Sequence, residues 1–263
     1  MADPLGGVPQ GTKLGTVIFS ACIYSALESS KNRCWKHVDD LTLGENRLLG
    51  HESNLQSELN ELTSWAEDNG FSLNPTKCQT LQVYFGRQST MPSSFVISNT
   101  RLQCVPNVKL LGVTLQNNLK WDIHITEIIA KANKKLFMLR RLKRVNLTIK
   151  ELVTVYKSYV RPILEYAAPL WHSSITEYQS RQIESIQKRV SRIILGNCFI
   201  YYGQTLDMLH LETLSDRRMN LCKQIYLKSI RRLVSSAKYK PFHDFEIIAY
   251  GRRLPWLNKK VPQ

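Results

Sequence analysis

The chain has 263 residues, 43% of them hydrophobic, a mean hydropathy of −0.25 and a net charge of +15. That is enough for one large domain or two smaller ones with real cores. It carries no apolar run of the ~20 residues that cross a bilayer, and no basic patch followed by an apolar core as in a secretory signal.

The charge is unevenly placed. Residues 1–117 have a net charge of −1, residues 118–200 of +9 and residues 201–263 of +7. A nearly neutral first part is thus followed by a strongly basic second part, a balance that a polyanion would offset. A merely solvated basic surface is the alternative. Six cysteines without a CxxC pair fit a reduced intracellular protein, nuclear or cytoplasmic and not secreted. Cys34 and His37 have a metal-like spacing, but no second pair lies nearby, and ordinary buried thiols are the plainer reading.

In chain order, residues 12–28 predict a mostly buried helix. Residues 34–43 (CWKHVDDLTL) predict strand, tight turn and strand, with two aspartates at the turn. Residues 53–68 predict a helix capped by Ser53, with Leu55, Leu59, Leu62 and Trp65 as one stripe and Asn69-Gly70 as its stop. Residues 77–85 alternate as a strand, and residues 107–116 (NVKLLGVTLQ) predict another.

From about residue 118 the pattern is helical. Residues 122–144 put Ile125, Ile128, Ile129, Ala132, Leu136 and Leu139 on one face. Thr148 and Glu151 form a capping box for a second helix, which Pro162 interrupts or kinks. A third helix runs over 176–195, with Ile183, Ile186, Val190 and Ile194 inward and Gly196 as its stop. A fourth covers 214–234, before an irregular basic tail.

Three features could carry chemistry. Asp39 and Asp40 stand side by side at a predicted hairpin tip, where both can face one concave site. Carboxylates are hard ligands suited to Mg²⁺, which keeps waters and bridges to phosphates. An ordinary aspartate-rich turn is the alternative. Gly7-Val8-Pro9-Gln10-Gly11 fixes a sharp turn that lets a ligand approach the backbone, or simply precedes a helix. Lys131, Lys134, Lys135, Arg140, Arg141, Lys143 and Arg144 lie in a stretch, 128–150, that contains no acid. Such a helix can track a phosphate backbone, or present a solvated face. Trp121, Tyr156, Tyr159, Tyr166 and Trp171 lie in the same basic region, as base-stacking groups or as core.

The order of these features is more specific than any one of them. GGVPQGTKLG, KHVDDLTL, FSLNPTKC and KLLGVTLQNNLKWDIHI in succession resemble the palm of non-LTR (LINE-like) retrotransposon reverse transcriptases. VYKSYVRPILEYAAPLWHSS and QIESIQKRVSRIILG are similar to the thumb-side region of that family, and LDMLHLETLSDRRMNLC to its continuation. The resemblance implies an α+β fold: a partial palm, with a small antiparallel sheet plus helices, over 1–117. An all-helical thumb-like region over 118–200 follows, then a basic helical extension over 201–263.

It also implies an RNA-directed DNA polymerase using Mg²⁺ (or Mn²⁺), an RNA template, a DNA primer and dNTP, with no membrane. Asp39 and Asp40 match the catalytic metal ligands. Gln10 and Gly11 match the segment lining nucleotide and template, and Lys77 the region placing a cation near the leaving pyrophosphate. Leu111, Gly112 and Val113 match the hairpin that grips the primer, and the basic helices would hold the duplex. Departures are His37 in place of a large aromatic, Thr16 in place of proline, and Ile23-Tyr24-Ser25 in place of an Ile-Asn-Asp-like stretch. Met1 lies six residues before the first motif, so the start reads as a truncation. The family's fingers and the third metal aspartate, on a strand before GVPQG, have no counterpart here, Asp3 included. The expectation is a fragment inactive alone, with a non-catalytic nucleic-acid-binding module or a retroelement relic as alternatives.

Overall fold

The computed structural model describes residues 13–27, 33–38, 40–46, 51–83 and 94–235. The first helix, α1, spans Lys13–Tyr24, and a hairpin of β1 (Arg33–His37) and β2 (Asp40–Gly44) follows. In the register Cys34↔Leu43 and Lys36↔Leu41, those pairs share one face. Cys34, Leu41 and Leu43 pack with Ala26, Leu27 and Leu62, the last on α2 (Leu55–Asp68). Lys36 reaches back instead, donating to the carbonyls of Tyr24 (2.8 Å) and Ala26, where the end of α1 leaves carbonyls without helical partners.

The expected burial of α1 does not hold: Leu14, Val17 and Ile18 are exposed. Among the described residues, β1 is the element that packs closely against it, which leaves that apolar side uncovered. At the start of α2 the hydroxyl of Ser53 accepts from the Leu55 N–H (3.3 Å), as expected of a capping residue. Asn54 is its N-cap residue and makes no side-chain cap bond. Glu45, just past β2, accepts from Ser53 Oγ (2.7 Å) and from the Asn54 N–H (2.9 Å), so a carboxylate from the hairpin sits at the helix start. Gly70, at φ +72°, follows the helix as expected.

The remaining strands are short: β3 (Gln79–Thr80), β4 (Val96–Ile97), β5 (Thr100–Arg101), β6 (Gln103–Cys104), β7 (Asn107–Leu110) and β8 (Val113–Gln116). Among the described residues they form three separate two-stranded pairs, β4–β5 and β7–β8 antiparallel and β3–β6 parallel. Of the strand predicted over 77–85, residues 77–83 are described and form only β3, while residues 84 and 85 lie outside the described residues. The single strand predicted over 107–116 is a hairpin, because Leu111 (φ +46°) and Gly112 (φ +84°) turn the chain back.

The helical part comprises α3 (Asp122–Arg144), α4 (Ile149–Val155), a π-helical turn (Tyr156–Val160), α5 (Arg161–Glu165), α6 (Ala168–Trp171), α7 (Glu177–Leu195), α8 (Tyr202–Leu209) and α9 (Leu214–Ser235). Both α4 and α7 start in capping boxes, Thr148 with Glu151 and Thr176 with Gln179. The π-helical turn explains how Pro162 is tolerated. Proline lacks an N–H and its ring would strike the carbonyl four residues back. Widening the preceding turn relieves both. Gly196, at φ +56°, ends α7.

One core unites these helices. Ile125, Ile128, Ala132, Leu136 and Leu139 of α3 meet Ile183, Ile186, Val190 and Ile194 of α7, and Leu209 and Leu214 join them from α8 and α9. Each such fully buried Ile, Leu or Val side chain contributes about 1.5–3 kcal/mol. Gln179 donates to Asp122 (2.7 Å), Arg189 to Asn133 (3.1 Å) and Lys143 to the Ile194 carbonyl (2.8 Å). The paired positions rise together along both helices, so α3 and α7 run side by side in the same direction. Among the described residues, no helix is long and apolar enough to cross a membrane.

Candidate nucleic-acid interface

Val38, at φ +54°, follows β1 in the acidic hairpin. Asp39 lies outside the described residues, as do Gln10 and Gly11. Asp40 opens β2, opposite His37. Cross-strand partners share a face, so Asp40 and His37 lie on the same side as Trp35 and Thr42, away from α2. Asp40 and His37 are exposed, and Trp35 is 54% exposed. Gly44 leaves room for Trp35 on that side: a Cβ there would sit 2.8 Å from the indole. Among the described residues, no three His, Cys, Asp or Glu side chains cluster to hold a metal ion. Asp40 therefore supplies one carboxylate on an open face, which is compatible with Mg²⁺ bound mainly through waters and substrate phosphates.

Lys77 is exposed in a turn ordered by Asn74, whose side-chain oxygen accepts from the Thr76 N–H (3.2 Å) and hydroxyl (2.6 Å). Leu111 and Gly112 are exposed at the β7–β8 turn, whereas Val113 is buried. Tyr166, between α5 and α6, donates from its hydroxyl to the Leu111 carbonyl at 2.8 Å. Its ring lies 3.2 Å from where a Cβ on Gly112 would be.

The rest of this hairpin is tied to α3. Thr114 Oγ1 donates to Glu127 (2.9 Å), and the Thr114 N–H points to Nδ1 of His124 (3.4 Å). The Gln116 side chain accepts from the Ile123 N–H (3.0 Å), serving one of the first donors of α3. His124 is buried beside Trp171, with ring centroids 5.9 Å apart, and burial lowers its pKa. The turn, Tyr166 and α3 thus form one connected unit. The Asp40 hairpin packs in a different cluster, with α2.

Of the seven basic residues on α3, Lys131, Lys134, Lys135, Arg140, Arg141 and Arg144 are exposed. They are spread over the whole arc opposite the apolar stripe, not along one flank. Lys143 differs. It is half-buried, and its ammonium donates to the Ile194 carbonyl near the end of α7, where a cation is favoured. The aromatics also divide. Trp171 and Tyr156 are core and Trp121 packs against it, while Tyr159 and Tyr166 are exposed.

Sequence reading missed three groups. Phe137 lies on the exposed side of α3 with Arg141 stacked 5.6 Å from its ring centroid. Lys188, Arg189 and Arg192 form an exposed basic stripe on α7, visible in the sequence as the non-apolar phase of QKRVSRI. Arg218 is fully buried, 5.7 Å over Trp171, donating to Ser180 (3.0 Å) and His172 (3.4 Å).

Residues 5–115 match the family model described as reverse transcriptase (RNA-dependent DNA polymerase). Residues 121–161, which span α3 to the start of α5, match the model described as alkylated DNA repair protein alkB homolog 8, N-terminal. Each match covers less than half of the chain. No curated protein and no solved structure matches it.

Proposed function

We propose that the chain is the palm and thumb part of a non-LTR retrotransposon reverse transcriptase, an RNA-directed DNA polymerase acting on an RNA template, a DNA primer and dNTP. The observation that carries this reading is the match of residues 5–115 together with Asp40 at the end of a hairpin, on its open face. In this reading 1–117 is the partial palm, 118–200 the thumb-like region and 201–263 a basic extension. Asp39 and Asp40 hold Mg²⁺ (or Mn²⁺), whose chemistry is to activate a primer hydroxyl and stabilise the leaving pyrophosphate. Gln10, Gly11 and Lys77 attend the nucleotide and template. The Leu111–Gly112 turn supports the primer, held by Tyr166.

Primer extension on an RNA template with Mg²⁺ tests the reading. Extension that is lost in both Asp39→Ala and Asp40→Ala supports it. Extension that survives both substitutions removes these residues from the site. No extension at any protein concentration rejects activity of this chain.

The exposed cations of α3 favour a second reading, a non-catalytic nucleic-acid-binding module. It expects salt-sensitive binding that survives Asp40→Asn and weakens when Arg140, Arg141 and Arg144 are neutralised.

A further inference from the structure

On a helix, the neighbours of residue i on the surface are those three and four positions away. For Phe137 these are Asn133, Lys134, Arg140 and Arg141, with Arg144 one turn further on. Phe137 is 61% exposed, yet it is neither frayed nor isolated, because Arg141 lies against its ring at 5.6 Å. Asn133 is held in turn by Arg189 of α7 (3.1 Å), which brings a further cation to the same side. A phenyl ring on a solvent-facing side, enclosed by cations in a stretch with no acid, meets two demands at once. It needs a flat apolar partner for the ring and dense negative charge for its surroundings.

We propose that Phe137 is a base-stacking platform for an unpaired polynucleotide strand whose phosphates lie on Lys134, Arg140, Arg141 and Arg144. An unpaired strand supplies a flat ring and a phosphate in every repeat, and stacking on an aromatic side chain accepts any base. A duplex matches the cations but keeps its base faces stacked on one another, leaving the phenyl ring uncovered. An acidic protein surface offers charge with no ring paired to each carboxylate. The proposal rests on the nucleic-acid part of the reading above and not on its polymerase chemistry.

The full chain is titrated, at one salt concentration, with three labelled probes: oligothymidylate, an abasic strand with the same number of phosphates, and a blunt duplex. Phe137→Ala weakens oligothymidylate binding roughly tenfold while abasic and duplex binding change by less than about twofold. Phe137→Trp restores the affinity, and its indole emission is quenched by oligothymidylate and not by the abasic strand. Because the ring is exposed, both variants keep the wild-type circular dichroism.

Equal losses on all three probes, or no loss on oligothymidylate, overturn the proposal. Displacement of oligothymidylate by polyglutamate at equal charge also overturns it, since the face would then read charge alone. Base-dependent binding without primer extension keeps this platform and removes the polymerase. Extension without any base dependence at Phe137 does the reverse.

Discussion

The hydroxyl of Tyr166 donates to the carbonyl of Leu111 across 55 residues of chain, at 2.8 Å. The acceptor belongs to a residue at φ +46° and the ring covers Gly112 at φ +84°, so an unfavourable turn is fastened from outside by a side chain of the helical part. A Cβ at Gly112 meets the tyrosine ring at 3.2 Å and also a left-handed backbone that L residues resist. Gly112→Ala should therefore loosen the hairpin by about 1–2 kcal/mol. The measurement is amide exchange over residues 107–116. Tyr166→Ala in the Gly112→Ala background recovers the steric share but not the backbone share, a non-additivity that a double-mutant cycle reads directly. Strict additivity would show that the ring does not confine the turn.

His124 gives the same junction a pH dependence. Its ring is buried between Trp121 and Trp171, its Nδ1 faces the Thr114 N–H, and burial holds its pKa below the ordinary 6.5, with Lys131 and Lys109 acting the same way and Glu127 opposing. A lowered folded-state pKa means that the unfolded chain takes the proton first. The stability contribution is complete above about pH 6.5, falls as pH drops below it, and levels off once the folded-state pKa is passed. His172, also lowered by burial and by Arg218, acts in the same direction. Urea denaturation at pH 7.5 and 5.5 should show a smaller loss on acidification for His124→Phe than for the wild type. An equal loss would mean that His124 does not sense the proton.

Much of the helical part is legible in the sequence because each helix carries its own boundary chemistry. The Thr148–Glu151 box, Gly196 and the inward phase of Ile183, Ile186, Val190 and Ile194 are local signals, and the structure keeps each. The acidic hairpin is legible for the same reason. What escapes is whatever depends on a distant partner. By its residue pattern the turn at Leu111 reads as continuous strand, and only the family resemblance marks a hairpin there, because a tyrosine far along the chain fastens it. Ser53 reads as the cap of α2, and its hydroxyl does accept from the Leu55 N–H, but Glu45 joins it from the preceding hairpin at the Asn54 N–H. Lys143 is indistinguishable from its basic neighbours by composition. Only the position of the end of α7 gives it a separate role. The exposed apolar side of α1 looks like core in a sequence, because periodicity reports a face and not what covers it.

Arg218 is a buried cation that binds helices together. Its guanidinium lies on Trp171 of α6, donates to Ser180 of α7 and to His172, and is itself on α9. Burial lowers its pKa, while Glu184 and Glu165 favour its charge. Nearby, Glu184 accepts from the Leu214 N–H (3.2 Å) and from the Tyr202 hydroxyl, so removing the cation leaves buried acceptors less compensated. Arg218→Ala should cost ~3–5 kcal/mol by loss of both charge and packing. Arg218→Met, which keeps the stem volume over Trp171, should cost distinctly less. Chemical denaturation followed by tryptophan emission separates the two. Equal costs would assign the whole effect to charge.

The cations of α3 should divide by what they touch. Lys143 donates to the Ile194 carbonyl, so Lys143→Met removes a charge near the end of α7 and should lower stability by about 0.3–1 kcal/mol. It should leave the salt dependence of nucleic-acid binding unchanged. Lys134, Arg141 and Arg144 are exposed and make no ion pair among the described residues. Neutralising any one of them should leave stability within about 0.5 kcal/mol. Each phosphate contact removed should reduce the slope of log affinity against log salt by about 0.7 on a single strand. Affinity measured across a salt series, paired with denaturation of the same variants, tests both halves together. A Lys143→Met variant that changed the slope, or Arg141 and Arg144 variants that did not, would reverse the division between the cation that holds the bundle and the cations that face a polyanion.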